Sequence, residues 1–119
     1  MSLGPRRFGR RKAEGNGIIR SSIHRRFLKT FVCAVFNNDG TCDERHAPDV
    51  AHVRTPNNAG MGRKPSDEWS LPLCRTHHRR AHQIGDKAFE IERGIDLAAK
   101  AREFASKSPD KQIRETTKH

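Results

Sequence analysis

The chain has 119 residues, of which 33% are hydrophobic and 32% are charged, so it suits one small domain with a thin apolar core. Its 24 Lys and Arg residues outnumber its 14 Asp and Glu residues, and the formal charge of +10 favours a polyanionic partner, nucleic acid before an anionic membrane surface. No apolar run approaches the length of a membrane span and no signal peptide with an apolar core is present, so we expect no membrane insertion and a cytoplasmic location.

The three cysteines cannot all pair with one another, which favours a reducing compartment in which the thiols are available to a metal. Domains this polar often depend on a metal or a disulfide for their stability. We therefore expect a bound metal to supply part of the folding free energy.

Basic residues are concentrated near the N-terminus. Residues 1–30 contain nine Lys or Arg residues and one acid, Glu14, so they carry about +8 of the formal charge. Residues 1–17 have no apolar period and are predicted to form a basic flexible arm. This arm either adds sequence-independent affinity for nucleic acid or is only a solvated, partly disordered segment.

The first elements after the arm are predicted from short apolar patterns. A loose stripe that includes Ile23 and Phe27 favours a helix, and residues 31–36 are β-branched enough to predict a short strand. Residues 37–40, Asn-Asn-Asp-Gly, are typical of a tight turn.

A hairpin is predicted in the middle of the chain. Residues 49–54 alternate in polarity and predict a strand, in which His52 faces one side and Ala51 the other. Residues 55–66 are rich in Pro, Gly and Asn and predict a loop. Residues 71–73 are then predicted as the second strand.

The C-terminal half is predicted to be helical. A helix is expected over residues 74–84 and is ended by Gly85. Asp86 and Asp96 can cap two further helices that pack against the core, the first of which carries Phe89 and Ile91. The expected organisation is a basic arm at residues 1–17, a domain at residues 18–105 and a polar, frayed tail at residues 106–119.

Four soft or borderline metal ligands are spread over two short segments. Cys33 and Cys42 flank the predicted turn, and Cys74 and His77 lie three residues apart at the start of the predicted helix. This set is typical of a structural Cys3His zinc site, although the separation of Cys33 and Cys42 exceeds the usual one. In the alternative interpretation, Cys33 is a buried apolar thiol and Cys42 is incidental.

Three further histidines predict a hydrolytic site. His78 and His82 lie four residues apart on one helix face and can bind one divalent cation. His52, on the strand facing that helix, can take a proton from water, because the ordinary pKa of imidazole lies nearest neutrality. For a phosphodiester substrate, the cation would stabilise negative charge on the phosphorus oxygens and on the departing 3′ oxygen.

Basic side chains near these histidines are candidate phosphate contacts, although any one of them could be only a solvated charge. The residues singled out for nucleic-acid binding are Arg54, Arg63, Lys64, Arg75 and Arg79.

Several motifs resemble those of the HNH, or ββα-metal (His-Me finger), nucleases. They are Asp49-Val-Ala-His52, Gly60-Met-Gly-Arg-Lys-Pro-Ser-Asp67, and Leu71-Pro-Leu-Cys74-Arg-Thr-His77-His78-x3-His82. The resemblance covers about residues 32–104 and extends to the phage and prophage branch that includes recombination-enhancement nucleases.

The resemblance implies a small α+β fold, in which a zinc-stabilised ββα-metal core with flanking helices holds a catalytic metal. It implies that His52 is the general base and that His78 and His82 bind a catalytic Mg²⁺ or Mn²⁺, with Zn²⁺ or Ni²⁺ as substitutes. It also implies a structural Zn²⁺ on Cys33, Cys42, Cys74 and His77.

The chain departs from the common HNH pattern at two positions. Ala51 stands where many members have a metal ligand, and Trp69 stands where many have an Asn. The phage branch has an acid where Asp67 stands, so Asp67 is a second candidate catalytic residue. It either orients His52 or completes the metal shell, unless it is only a turn cap. His46 is a weaker candidate for the missing ligand.

The predicted function is a metal-dependent HNH-type endonuclease that hydrolyses DNA phosphodiester bonds in a bacterial cell or a phage-infected host. The expected partners are DNA and a recombination protein, and no membrane is expected. The alternative is a non-catalytic, zinc-stabilised nucleic-acid-binding module, which Ala51 favours. A basic RNA-associated protein is a third interpretation, but it leaves the three histidines unexplained.

Overall fold

Five helices and a two-stranded sheet make up the part of the chain that the structure describes. The structure is a computed structural model, and it describes residues 18–36, 40–54 and 65–118. In chain order the elements are α1 (Ser22–Leu28), β1 (Asp49–His52), a 3-10 helix (Asp67–Trp69), β2 (Ser70–Leu73), α2 (Arg75–Ile84), α3 (Asp86–Arg93), α4 (Leu97–Ser106) and α5 (Lys111–Glu115). The predicted α+β class is therefore confirmed.

The hairpin of β1 and β2 brings the end of β1 beside the 3-10 helix. The two strands are antiparallel, with Asp49 opposite Leu73 and His52 opposite Ser70. Side chains alternate along β1, since Ala51 is 4% exposed and the residues on either side of it are less buried. Both predicted strands are confirmed, and Ala51 is the residue of β1 that faces the core.

Helix α2 follows β2 without a loop. Cys74 is its N-cap residue, and the Cys74 sulfur accepts a hydrogen bond from the backbone N–H of His77 at 3.4 Å. The helix ends at Gly85, whose φ of 90° suits glycine because it has no Cβ to clash. The helix predicted from the Cys-x-x-His-His sequence is confirmed.

A thin apolar core lies between the sheet and the following helices, and α4 packs against both β2 and the 3-10 helix. The buried residues that form this core are Cys33, Val35, Ala51, Val53, Leu71, Leu73, Cys74, Ala81, Phe89, Leu97 and Ala101. Phe89 is fully buried, as predicted, whereas Ile91 on the same helix is 80% exposed. Two cysteines are part of this core, so the candidate zinc site and the core are continuous.

The C-terminal segment packs against α1 through buried polar groups. His24 Nδ1 lies 2.8 Å from Ser108 Oγ, and the Ser21 hydroxyl donates to the Asp110 carboxylate. Ile113 of α5 is fully buried. This segment therefore differs from the frayed tail predicted for residues 106–119, because its hydrogen bonds to α1 and one buried isoleucine offset its polar composition.

The segment after α1 turns, in contrast to the strand predicted at residues 31–36. The Phe36 N–H donates to the Cys33 carbonyl at 3.0 Å and closes a tight turn. The Ala34 N–H donates to the Pro72 carbonyl at 2.8 Å and ties this turn to β2. The predicted strand is therefore wrong, since β-branched composition does not by itself supply a partner for a ladder.

Several predictions fall on residues that the structure does not describe. They concern the basic arm at residues 1–17, the first three turn residues at 37–39 and most of the loop at residues 55–64. Gly40, the last turn residue, is described and has a φ of 82°, as the turn chemistry predicts. None of the helices in the described part of the chain is long and apolar enough to cross a bilayer.

Candidate functional site

The four predicted zinc ligands come together at the N-terminal end of α2. His77 Nδ1 lies 3.5 Å from Cys33 Sγ, 3.5 Å from Cys42 Sγ and 3.2 Å from Cys74 Sγ. All four ligand atoms lie within 4.8 Å of one another. In a tetrahedral site with Zn–S near 2.3 Å and Zn–N near 2.0 Å, sulfur and nitrogen are about 3.5 Å apart. The cluster therefore fits a metal ion such as zinc.

Local structure turns these ligand atoms toward one point. The N-cap position of Cys74 places its sulfur beside the first turn of α2, where it also accepts the His77 N–H. The Nε2 atom of His77 lies 3.0 Å from the Thr41 hydroxyl oxygen. That oxygen can accept the ring N–H and leave Nδ1 for a metal, as outer partners of metal-bound histidines commonly do.

The thiols of Cys33 and Cys42 lie where their ionised form is disfavoured unless a cation neutralises it. Burial raises the pKa of the Cys33 thiol. Burial, with the neighbouring Cys33 sulfur, raises the pKa of Cys42 to about 12. Metals bind the thiolate, so a bound cation reverses this preference. The donor set is thus suited to a metal ion rather than to free, reactive thiols.

His78 and His82 face each other one turn further along α2. Their Nε2 atoms are 3.3 Å apart. Two nitrogens bound to one cation at about 2.0–2.1 Å with a tetrahedral angle are about 3.3–3.4 Å apart. The spacing of this pair therefore fits the cation predicted from the sequence. The other ring nitrogen of His78, Nδ1, lies 3.0 Å from Asp49 Oδ2.

His52 is held by a buried carboxylate. Its Nε2 atom lies 2.8 Å from Oδ1 of Asp67, whose side chain is 1% exposed. The other partners of this carboxylate are the Ser21 N–H at 2.7 Å, the Arg20 guanidinium at 3.4 Å and the Arg25 guanidinium at 3.8 Å. Each oxygen therefore already has two protein partners. These contacts fit orientation of His52 and do not fit a metal ligand.

The environment of Asp67 keeps it ionised. Burial by itself would raise the pKa of this carboxyl, but hydrogen bonds from His52 and from the Ser21 amide, together with the nearby Arg25 charge, outweigh it and hold the pKa below its usual range. A carboxylate only accepts hydrogen bonds, so His52 Nε2 must donate. The lone pair of neutral His52 then lies on Nδ1.

The three histidines predicted to act together line one small pocket between the hairpin, α2 and the start of α3. Besides His52, His78 and His82, its wall includes Asp86, the first residue of α3, and Ala51. Ala51 has no ligand atom, in line with its departure from the HNH pattern. The pocket unites the candidate base with the candidate cation ligands.

The predicted phosphate contacts are only partly within the described residues. Arg54, Arg75 and Arg79 are exposed, as a phosphate contact requires, whereas Arg63 and Lys64 lie outside the described part of the chain. Two arginines that were not singled out, Arg20 and Arg25, instead contact the buried Asp67.

Sequence reasoning missed the outer partners of the site. Asp49 lies 29 residues before His78, and Ser21 lies 46 residues before Asp67, so neither contact follows from a local motif. Of these two contacts, only that of Asp49 had an indication in the sequence. Asp49 lies two residues before Ala51, so strand alternation places both residues on the same face of β1.

Comparisons with known proteins leave the family open. No family model matches the chain, and no solved structure matches it. The chain is 38% identical over 72 residues to a protein of Escherichia coli (strain K12), "Uncharacterized protein YdfU". The match covers 60% of this chain but only 18% of that relative, so it spans less than a fifth of the relative's length.

Proposed function

We propose that the protein is a metal-dependent endonuclease of the HNH, or ββα-metal, type that hydrolyses DNA phosphodiester bonds. The observation that carries this proposal is the meeting of His52, held by Asp67, with the His78–His82 pair in one pocket. The order of strand, strand and helix around that pocket is the order that the HNH resemblance implies. The formal charge of +10 supports a polyanionic substrate.

His52 is the proposed general base. Because its Nε2–H is donated to Asp67, the Nδ1 lone pair is available to a water molecule in the pocket. As the water oxygen bonds to phosphorus, its proton passes to Nδ1, and the bond between phosphorus and the 3′ oxygen breaks. The Asp67 carboxylate, 2.8 Å away, stabilises the resulting imidazolium. Asp67 therefore acts through His52, as a positioning residue.

A divalent cation is the proposed cofactor of the pocket. His78 and His82 would hold it through their Nε2 atoms, and Ala51 would contribute no ligand atom. When bound, the cation supplies charge stabilisation for the phosphorus oxygens and the departing oxygen. Two imidazole ligands favour Mn²⁺, Ni²⁺ or Zn²⁺ over Mg²⁺, which prefers oxygen ligands.

Substrate binding is proposed to depend on α2 and on the basic arm. Arg75 and Arg79 are exposed on the helix that carries the cation ligands, so phosphates bound there would lie close to the pocket. Phosphate contacts of this kind are sequence-independent and weaken steeply as salt concentration rises. A recombination protein that delivers DNA is the proposed partner.

The test is a cleavage assay on plasmid and single-stranded DNA with Mg²⁺, Mn²⁺, Ni²⁺ or Zn²⁺, using zinc-loaded protein. His52→Ala is expected to reduce the rate by about 10²- to 10⁴-fold, the usual contribution of a general base. His78→Ala should also abolish metal-stimulated cleavage. His46→Ala is the matched control. His46 was a weaker candidate for the missing ligand, but it is exposed, contacts Asp43 and does not line the pocket that holds His78 and His82. Equal cleavage by His52→Ala and the unmodified protein would overturn the mechanism.

The alternative function, a non-catalytic zinc-stabilised nucleic-acid-binding module, is supported by a specific observation. Among the described residues, only the Cys3His cluster has three or more ligand atoms within metal-binding distance of one another. One tightly held zinc per chain, with DNA binding but no cleavage under any metal, would favour this module. A second, exchangeable cation accompanied by cleavage would favour the nuclease.

A further inference from the structure

The carboxylate of Asp49, on the sheet, contacts one of the two candidate cation ligands. Asp49 is the first residue of β1, and its Oδ2 atom lies 3.0 Å from Nδ1 of His78 on α2. The two side chains are 41% and 25% exposed, so this contact is neither a buried core interaction nor a fully solvated pair. Neither the candidate zinc ligands nor His52 takes part in this contact.

This contact determines which ring nitrogen of His78 carries the proton. A carboxylate has no proton to donate, so His78 Nδ1 must be the donor. In the neutral imidazole the lone pair then lies on Nε2, the atom that is 3.3 Å from Nε2 of His82. Asp49 therefore directs the lone pair of His78 into the space between the two histidines.

The preceding residue on the helix requires the opposite arrangement. His77 presents Nδ1 to the three sulfurs, and its Nε2 lies 3.0 Å from the Thr41 hydroxyl. Two adjacent histidines on one helix thus need opposite tautomers to serve two different metal sites. The sequence of α2 does not impose this difference, because both side chains are chemically identical. The partners outside the helix, Thr41 and Asp49, impose it.

We propose that Asp49 is a positioning residue that holds His78 as the Nδ1–H tautomer. His78 then binds the exchangeable cation through Nε2, while His77 binds zinc through Nδ1, and the two sites do not exchange ligands. The cation-binding part rests on the proposed function, whereas the tautomer is a property of the zinc-loaded protein alone. Loss of such an outer partner generally weakens metal binding by about 10–100-fold.

The tautomer can be read directly from the imidazole nitrogens. Protein labelled with ¹⁵N-histidine and loaded with zinc, but with no second cation, is studied by long-range ¹H–¹⁵N correlation at about pH 8, well above the ordinary imidazole pKa. In the unmodified protein His78 is expected to be protonated at Nδ1. Asp49→Ala should shift His78 toward the Nε2–H form. Asp49→Asn should retain Nδ1–H, because the amide oxygen accepts the same hydrogen bond.

A control variant separates this effect from loss of charge near α2. Glu92→Gln removes a carboxylate that contacts the same helix through Arg80 at 2.8 Å, and it should leave His78 unchanged. The His77 tautomer should be the same in every variant, because Thr41 and the zinc hold it independently of Asp49.

Calorimetry with Mn²⁺ or Ni²⁺ on the zinc-loaded protein supplies the second readout. Asp49→Ala is expected to weaken binding of the second cation by about 10–100-fold, and Asp49→Asn to weaken it less. His78 protonated at Nε2 in the unmodified protein would overturn the inference without any variant, as would an unchanged tautomer in Asp49→Ala. Absence of a second cation from the unmodified protein would overturn the cation site of the proposed function instead, and the imidazole spectrum would still decide the role of Asp49.

Discussion

Removal of the metal from the Cys3His cluster is expected to abolish cooperative folding. Structural zinc sites of this kind contribute about 10–16 kcal/mol of binding free energy near pH 7. The whole unfolding free energy of a domain this small is about 5–15 kcal/mol. A zinc ion bound to this cluster would therefore contribute as much free energy as a fold of this size has in total.

The position of the cluster explains why the core cannot compensate. Cys33 and Cys74 are 6% and 3% exposed and belong to the apolar core, which they share with residues of β1, β2 and α3. Cys33 and Cys42 come from the segment after α1, whereas Cys74 and His77 come from α2. A metal bound there would cross-link these two parts of the domain. Its loss would leave them joined by the Ala34–Pro72 and Thr41–His77 hydrogen bonds and by neighbouring apolar contacts.

The assay combines metal analysis with circular dichroism. One zinc per chain is expected in the purified protein, and a chelator that removes it should eliminate the thermal unfolding transition, with recovery when zinc is restored. Cys42→Ser, which alters the most exposed sulfur ligand, should lower both zinc content and melting temperature. His46→Ala lies on the same segment outside the cluster and should change neither. A far-UV spectrum and melting temperature unchanged after complete metal removal would refute the reasoning and show that the apolar core suffices.

Three further measurements address the interior of the domain. Asp67→Asn should lower the free energy of unfolding at neutral pH by about 1.5–3 kcal/mol, the usual contribution of hydrogen bonds to a charged group. Because the folded-state pKa of Asp67 is depressed, this difference should be complete above about pH 4 and shrink as pH falls through the folded-state pKa, as urea titrations at pH 7 and pH 3 can show. Burial lowers the pKa of His24, so below about pH 6.5 the unfolded chain takes up a proton that the folded protein excludes. The free energy of unfolding should therefore decrease as the pH is lowered below that value, by at most about 1.4 kcal/mol per pH unit. His24→Gln should remove this slope. Ile113→Ala should lower stability by about 2–5 kcal/mol, since Ile113 is fully buried, whereas Ile91→Ala, at an exposed position, should change it by less than about 0.5 kcal/mol. Equal melting temperatures for the two isoleucine variants would show that α5 does not pack as described.

The local elements of the site could be predicted from the sequence because their determinants are close together in the chain. The hairpin followed from the alternation around His52, and α2 followed from Cys74 at its N-cap and Gly85 at its end. The grouping of His78 and His82 followed from helical periodicity alone. The Cys3His cluster could also be predicted from the sequence, because cysteine and histidine are distinctive metal ligands.

Two local predictions failed because local composition was insufficient. The segment at residues 31–36 has strand-like composition, yet it turns at Cys33 so that the cysteine reaches the cluster. Ile91 continues an apolar pattern on α3 but points away from the core. In both cases packing against distant elements decided the outcome, and propensity is too weak to override it.

The sequence by itself determined which residues are the candidate metal ligands, which is the candidate base, and the helix that carries most of them. Only the tertiary structure decided how these groups are held. It buries Asp67 against His52 with donors from Ser21, Arg20 and Arg25, and it sets Asp49 against His78. These contacts join residues 15 to 47 positions apart, and hydrogen-bond geometry depends on where separate elements dock. The ring nitrogen that faces a carboxylate in His52 and in His78 is therefore decided by neighbours in space rather than in sequence.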